Sequence, residues 1–516
     1  MKKISLILLL FTFLEGFGQE IKIDTSYSRI FRERIENTTL ISTLKDPVNG
    51  IYTIRKYRQL VPSKGWTRGY IIQFWDDDIE PKSYYNYRVT EKSSFLAGAF
   101  INEGRLHLLE YVQNRKNKTV ECYAHVSPSK DLKFEKKKLF AVDIKKFPGF
   151  FSFLSSQFDA DFGGNIAFSP NGKKLLFYVD SYSKKEERHA LFTFNNALEP
   201  LWSREFSHEK KDKLFDLEEA TIDDEGTAFI VARIYEDSRR KNKNGKPNYT
   251  HELFKISTDE TKITSFGDEK YFINSIQLKL TDSKVKCIGF YSYEQDYQLA
   301  GTFVEILNKS SLEHESSNFQ KFTEEFLNDK YGDQKKKELR DVHIRSIQTL
   351  SNNDMLITAE EIFIEVNFNT NATTSQTYNF DDIAIIKLSE SGDMLWARNI
   401  NKNQESGYLN EVLSFSSLTK ENELYLFLNG HKKMGLTGDR TRFKSGIFGT
   451  ITKGNSVLYV IKFDENGNWT YDIVQENRNP NRIFDARNGI QIDESKILLF
   501  GSKDQEKQFL TISSVD

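Results

Sequence analysis

Asn165-Ile-Ala-Phe-Ser-Pro-Asn-Gly-Lys-Lys-Leu-Leu-Phe-Tyr-Val179 is the stretch that decides the fold. Two short apolar runs flank Ser169-Pro-Asn-Gly172, and a tight turn between β-rich runs predicts a hairpin, with Asn171 and Gly172 supplying positive φ values. A third strand is expected at Ala190 to Phe194. Asn195 and Asn196 then turn the chain into a fourth, Pro200 to Phe206, which carries Trp202. Four short strands joined by tight turns make one antiparallel sheet.

The same order returns twice in strong form. Asp341 to Leu350, Met355 to Ala359, Ile383 to Leu388 and Met394 to Ile400 set the turn Glu390-Ser-Gly-Asp393 just before Trp396. Tyr408 to Leu418, Glu423 to Leu428, Val457 to Phe463 and Trp469 to Val474 are joined across Glu465-Asn-Gly-Asn468. Weaker copies begin near Thr38, Phe95, Asp216, Tyr271 and Asp485. One supersecondary unit recurring along a chain marks a repeat architecture. The expected fold is all-β: a single β-propeller of four-stranded antiparallel blades over residues 19 to 516, with eight blades and seven as the alternative. The last unit shows only three strands. The N-terminal strand, Glu20 to Ile23, would supply the fourth and close the ring without a free sheet edge.

Phe168-Ser-Pro-Asn-Gly-Lys-Lys-Leu-Leu-Phe177 resembles the TolB-type, WD40-like propeller repeat, in which Ser-Pro-Asp-Gly joins the first two strands of a blade. Asn171 stands where that family usually has Asp, and the match covers about a dozen residues. The resemblance implies a propeller and, loosely, a binding role. It implies no particular partner.

Lys2 and Lys3 followed by the apolar Ile4 to Leu14, with Gly16 and Gly18 at the small-residue positions, read as a secretory signal over residues 1 to 18. That run is too short to span a bilayer, which takes roughly 20 apolar residues. The expectation is an exported chain, periplasmic or extracellular, with no transmembrane segment. Lys and Arg number 72 against 74 Asp and Glu, a formal charge of −2, which argues against a nucleic-acid binder. Cys122 and Cys287 fall in non-adjacent units and are expected as two buried thiols, a disulfide being the alternative.

Catalytic and metal-binding signatures do not emerge. The eight histidines never pair at zinc-ligand spacing. No Gly-x-Ser-x-Gly elbow is present, and Thr221-Ile-Asp-Asp-Glu-Gly-Thr227 misplaces the Gly of a sialidase Asp box by one position. Asp76-Asp77-Asp78 could bind calcium or lend a carboxylate to a central funnel, but such a run at a strand end is also ordinary turn chemistry. No cofactor, metal site or catalytic residue is assigned.

Loop lengths carry the functional signal. In a four-stranded blade, the connection between strands two and three and the link to the next blade open on one face, and nearly all long insertions fall there. The six intra-blade loops on that face sum to +12, with +5 over 431 to 455 and +3 over 235 to 249. Lys432, Lys433, Arg440, Arg442 and Lys444, with Arg239, Arg240 and Lys241, are therefore the partner-binding candidates. Solvated loops also favour Lys and Arg for their own sake. Asn318 to Glu338, with Phe319, Phe322, Phe326 and Leu327 on one stripe, is read as a helix packing on the propeller or meeting a partner. Phe147 to Leu154 is read as a plug between blades, or an exposed apolar patch. The function expected is a monomeric, non-catalytic binding or scaffold propeller of the bacterial envelope, contacting a protein or an anionic glycan. A carbohydrate-active propeller enzyme with carboxylates in its funnel is the alternative.

Overall fold

A computed structural model describes residues 21 to 515 except 34, 36–37, 47, 49, 62–64, 90–93, 128–129, 145–164, 181–186, 294–298, 333–340, 369–373, 408–411, 434, 438–439, 445–455, 477–481 and 504. Eight four-stranded antiparallel blades stand in a ring, the β-propeller expected from the repeat. Among the described residues no helix is long and apolar enough to cross a membrane. The blade holding the deciding stretch, blade 3, runs Ile166–Phe168, Lys174–Asp180, Glu187–Asn195 and Pro200–His208 from the channel outwards. In blade 8 the inner strands, Ile490–Asp493, Lys496–Lys503 and Glu506–Ser514, are completed on the outside by Ile23–Tyr27 from the other end of the chain. The closing strand therefore lies a few residues later than the sequence suggested.

The core is divided among the seams. Each of the eight junctions between neighbouring blades encloses its own cluster of buried apolar side chains. In blade 3, Leu175, Phe177 and Val179 face blade 2, while Leu176 and Tyr178 face blade 4. A middle strand buried on both faces reads as a continuous apolar run instead of an alternating one. Cys122 and Cys287 lie in separate seams as buried free thiols.

The short turns share one construction. Gly172, Gly226, Gly392 and Gly467 have positive φ, and each donates its N–H to the residue three positions earlier: Ser169, Asp223, Ser389 or Asp464. Asn171 is not in the positive-φ region. It accepts the Lys173 N–H at 2.8 Å through Oδ1, so its contribution is an Asx hydrogen bond. Two of the tryptophans that follow turns bind the next blade's turn: Trp202 Nε1 donates to Gly226 O at 2.9 Å and Trp396 Nε1 to Glu465 O at 2.9 Å. Asp76 and Asp77 close the same face of blade 1, accepting the N–H groups of Glu80 and Gly50 at 2.8 and 2.7 Å.

Several expectations are corrected. Asn318 to Lys321 end the strand His314–Lys321, and the helix is only Glu324–Tyr331, capped by the Thr323 hydroxyl, which accepts from Phe326 N at 3.1 Å. Phe322 and Phe326 pack into the seam between blades 5 and 6. The long loops of blades 1 and 6 are largely hairpin extensions: Ile51–Val61 pairs Gly65–Trp75, and Met355–Phe368 pairs Thr374–Leu388 to their tips. Local hydrogen bonding carries a strand past the point where the apolar pattern stops. The first strand of blade 7 is Phe415–Lys420, shorter than expected, and Tyr408 to Asn410 lie outside the described residues. Residues 1–18 and Phe147 to Leu154 also lie outside them.

Candidate functional site

Among the described residues the inner strands bring carboxylates to the channel wall in only a few places: Asp216, Glu218 and Glu219 on blade 4, and Asp493 on blade 8. Glu218 sits at a β-bulge between Leu217 and Glu219, and a bulge re-aims side chains that regular pleating would separate. Its carboxylate pairs with Arg233 at 2.5 Å and faces His251 at 3.5 Å. Burial raises the Glu218 pKa, but His251 and Arg233 outweigh that and hold it below the usual glutamate value. Glu219 reaches the neighbouring blade and accepts the Leu278 N–H at 2.6 Å. Burial pushes its pKa up to about 7 despite that hydrogen bond. Asp216 pairs with Arg239. Three of these four acids thus gather on one blade, and each is held by its own neighbours, Asp493 by Lys496.

The basic candidates form two separate groups three blades apart in the ring. Lys432 and Lys433 are exposed at the end of the second strand of blade 7, and Lys432 pairs with Glu476. Arg440–Lys444 is a strand, antiparallel to Gly435–Thr437 and parallel to Lys402–Ser406, with Lys402 opposite Phe443 and Asn403 opposite Lys444. Arg442 lies near the largely buried Asp381. In blade 4 the Arg239 guanidinium donates to Lys213 O at 2.8 Å as well as pairing with Asp216. The carbonyls of Arg240 and Lys241 accept from Asn248 at 3.0 and 2.8 Å. A hairpin, Asn242–Lys243 with Lys246–Pro247, turns through Asn244 and Gly245, both at positive φ.

Beneath the blade 7 group lies a buried ionic network. Lys402 Nζ pairs with Glu360 at 2.8 Å and donates to Phe380 O at 2.6 Å, and both charged side chains are fully buried. Ser414 donates to the other Glu360 oxygen at 2.5 Å. Nearby, Asp382 receives Lys330 Nζ at 2.8 Å, and Asp329 of the same helix receives Arg398 Nε at 2.6 Å. These contacts fasten the helix and the link after blade 6 to the face that carries the long connections.

A cavity of about 600 Å³ opens where the N-terminal segment crosses from blade 8 to blade 1. Its walls come from one face of blade 1: Gln59, Gln73, Tyr84, Asn86 and Arg88, with Phe31, Arg32, Glu33 and Ile35 from the crossing segment. Arg55, fully buried below, pairs with Glu33, donates to Gln73 Oε1 at 2.8 Å and lies over the rings of Phe31 and Phe500. The sequence reading missed this site. Its signal was the polar alternation Thr53, Arg55, Tyr57, Gln59 in a strand whose intervening positions include Ile54.

No family model matches the sequence, and no curated protein does. Solved structures with similar coordinates include prolyl oligopeptidase B from Galerina marginata (TM-score 0.36, 10% identity, covering 87% of this chain). This chain spans 55% of that peptidase. They also include the polysaccharide lyase Uly1 (TM-score 0.36, 11% identity, 84% of this chain and 92% of that one). A protein of unknown function from Bacteroides caccae matches at TM-score 0.27 and 11% identity, over 64% of this chain and 89% of that one. At this level of likeness none of these proteins lends its activity to this chain.

Proposed function

We propose that this propeller is an exported, TolB-like, non-catalytic binding or scaffold protein of the bacterial envelope, acting as a monomer through its long-connection face on a protein or an anionic glycan. One observation carries the reading: elaboration is confined to a single face of the ring. The turns of the other face are short, the longest running from Ser127 to Glu135, while the favoured face bears the hairpin of blade 6, the helix and the strand Arg440–Lys444. A repeat scaffold elaborated on one side usually binds there. A second reading, a carbohydrate-active enzyme, draws on Glu218 and Glu219, whose pKa values are pushed apart, His251 and Arg233 holding the first down and burial raising the second. Glu218 and Glu219 lie on one strand and are held by Arg233 and the Leu278 N–H, and Asp493, on the opposite blade, is paired with Lys496, an arrangement unlike the flanking pair that glycoside hydrolysis needs.

The test is capture of partners from envelope extracts by the intact chain and by K432A/K433A and R239A/R240A/K241A variants. Point changes are required, because Phe443 is buried against Tyr459, so deleting the blade 7 loop would open the core. A defined partner retained by the intact chain and lost with the substitutions supports the reading. Turnover of a polysaccharide that disappears in E219Q would replace it.

A further inference from the structure

We propose that the cavity at the closure seam is a binding site for an acidic sugar residue, whose anionic group meets Arg32 and Arg88 and whose hydroxyls meet the carboxamides of Gln59, Gln73 and Asn86. The proposal rests on the reading of the chain as a binding protein and gives it a site that loop charge did not indicate.

Three observations converge. First, the cavity interrupts an otherwise apolar pattern. The closure seam has its own apolar cluster around Trp75, Phe500 and Phe509, but beside it a buried arginine and glutamate form the floor of the cavity. Glu33 is fully engaged, facing Arg55 with one oxygen and accepting the Thr38 hydroxyl at 2.8 Å with the other. The negative charge in the floor is thus neutralised from below; Arg32 shares its charge with Glu506 at 3.3 Å, and Arg88 keeps the lining net positive.

Second, the polar side chains present donors to the space. Gln73 is 7% exposed, and its Oε1 is occupied by Arg55, leaving the Nε2 donors. Asn86 Oδ1 is occupied by the Tyr57 hydroxyl at 2.7 Å, which leaves its amide donors in the same way. Gln59 has no side-chain partner among the described residues. A ligand rich in acceptors is the complement, and a sugar with several hydroxyls and one anionic group is such a ligand. Guanidinium forks suit a carboxylate or a sulfate by paired, charge-assisted hydrogen bonds.

Third, Tyr84, 54% exposed, forms part of the wall. An exposed ring beside polar anchors gives an apolar face for the C–H side of a pyranose, the common composition of a ligand pocket. Gly69 leaves room on this blade face: a Cβ there would lie 2.6 Å from the Tyr57 hydroxyl that orients Asn86.

The experiment is titration calorimetry of the full chain with a glucuronate tetrasaccharide, its carboxyl-reduced counterpart and a sulfated neutral tetrasaccharide. Binding of one or both anionic saccharides, at least tenfold tighter than the reduced one, is expected, and the comparison identifies which anionic group is preferred. Arg88→Ala should weaken it about tenfold or more, since hydrogen bonds to charged groups are the strong ones. Arg88→Lys should fall between, because lysine keeps the charge but lacks the fork. Both residues changed in the wall, Arg88 and Gln59, are surface-accessible, and unchanged melting temperatures of R88A and Q59A would confirm folding. Equal binding by wild type and R88A/Q59A overturns the site, as does equal binding of the reduced saccharide. Loss of saccharide binding in K432A/K433A but not in R88A moves the site to the loops and keeps the glycan reading. A chain that binds no saccharide yet captures a protein through its loops overturns the seam site and leaves the binding reading intact.

Discussion

The two faces of the ring are held by different physical means. On the short-turn face, backbone geometry does the holding: a glycine at positive φ closes each of several turns, and tryptophan side chains from one blade hydrogen-bond the turn of the next. On the long-connection face, side-chain chemistry does it, through buried ion pairs that tie a helix and extra strands to blades 6 and 7. The first solution depends on local sequence and repeats. The second brings together residues far apart in the chain and is free to differ from blade to blade, which is what a recognition surface requires.

The sharpest way to break this contrast is to remove one partner of the Lys402–Glu360 pair. Lys402→Met leaves the fully buried Glu360 carboxylate with only the Arg345 guanidinium, 3.9 Å away, and breaking such a buried pair typically costs about 3–5 kcal/mol. Urea unfolding should show that loss, and a loss below about 1 kcal/mol would mean water reaches Glu360. Next, Gly467→Ala tests the other face. Its φ of +81° and the approach of a Cβ to within 2.7 Å of the Trp396 ring should cost roughly 1–3 kcal/mol. The turn would then be shown to depend on backbone conformation, since no charged group is altered.

A smaller effect follows from Glu219, which joins blades 4 and 5 at the channel wall. Its folded pKa of about 7 lies above its ordinary value of 4.5, so the native state holds its proton more tightly than the unfolded chain does. The stability it contributes is therefore complete below about pH 4.5 and is lost as the pH rises through about 7. Glu219→Gln keeps an acceptor for the Leu278 N–H and removes the titration. The wild type should lose more stability than the variant between about pH 5 and pH 8, measured by urea midpoints. Parallel curves would show Glu219 to be ionised throughout.

Blade 3 was readable from its own residues because every device in it is local: apolar runs, a Ser169-to-Gly172 turn and a tryptophan placed after the next turn. The short helix was less readable. Phe319, Phe322 and Phe326 share a helical spacing, yet Phe319 belongs to a strand, where it packs against Tyr271, Tyr291 and Phe303. Pairing with the neighbouring strand Leu299–Asn308 outweighs a local periodicity of that length. The basic residues of blades 4 and 7 stood out by count, but count does not register their neighbours, and Arg239 and Lys432 each have a carboxylate partner in the structure.

By itself the sequence determined the all-β class, the repeated four-strand unit, the positions of most turns and the face on which the long connections fall. Those features follow from side-chain alternation, turn chemistry and strand order, which act over a few residues or repeat along the chain. Only the tertiary structure decided how Phe31 to Ile35 meets blade 1 and leaves a cavity, how Lys402 finds Glu360, and how Glu219 crosses to Leu278. The cavity depends on closing the ring, which joins the two ends of the chain, and the other two on packing blades and links together; each buries polar groups whose partners lie tens of residues away, beyond the reach of any local pattern.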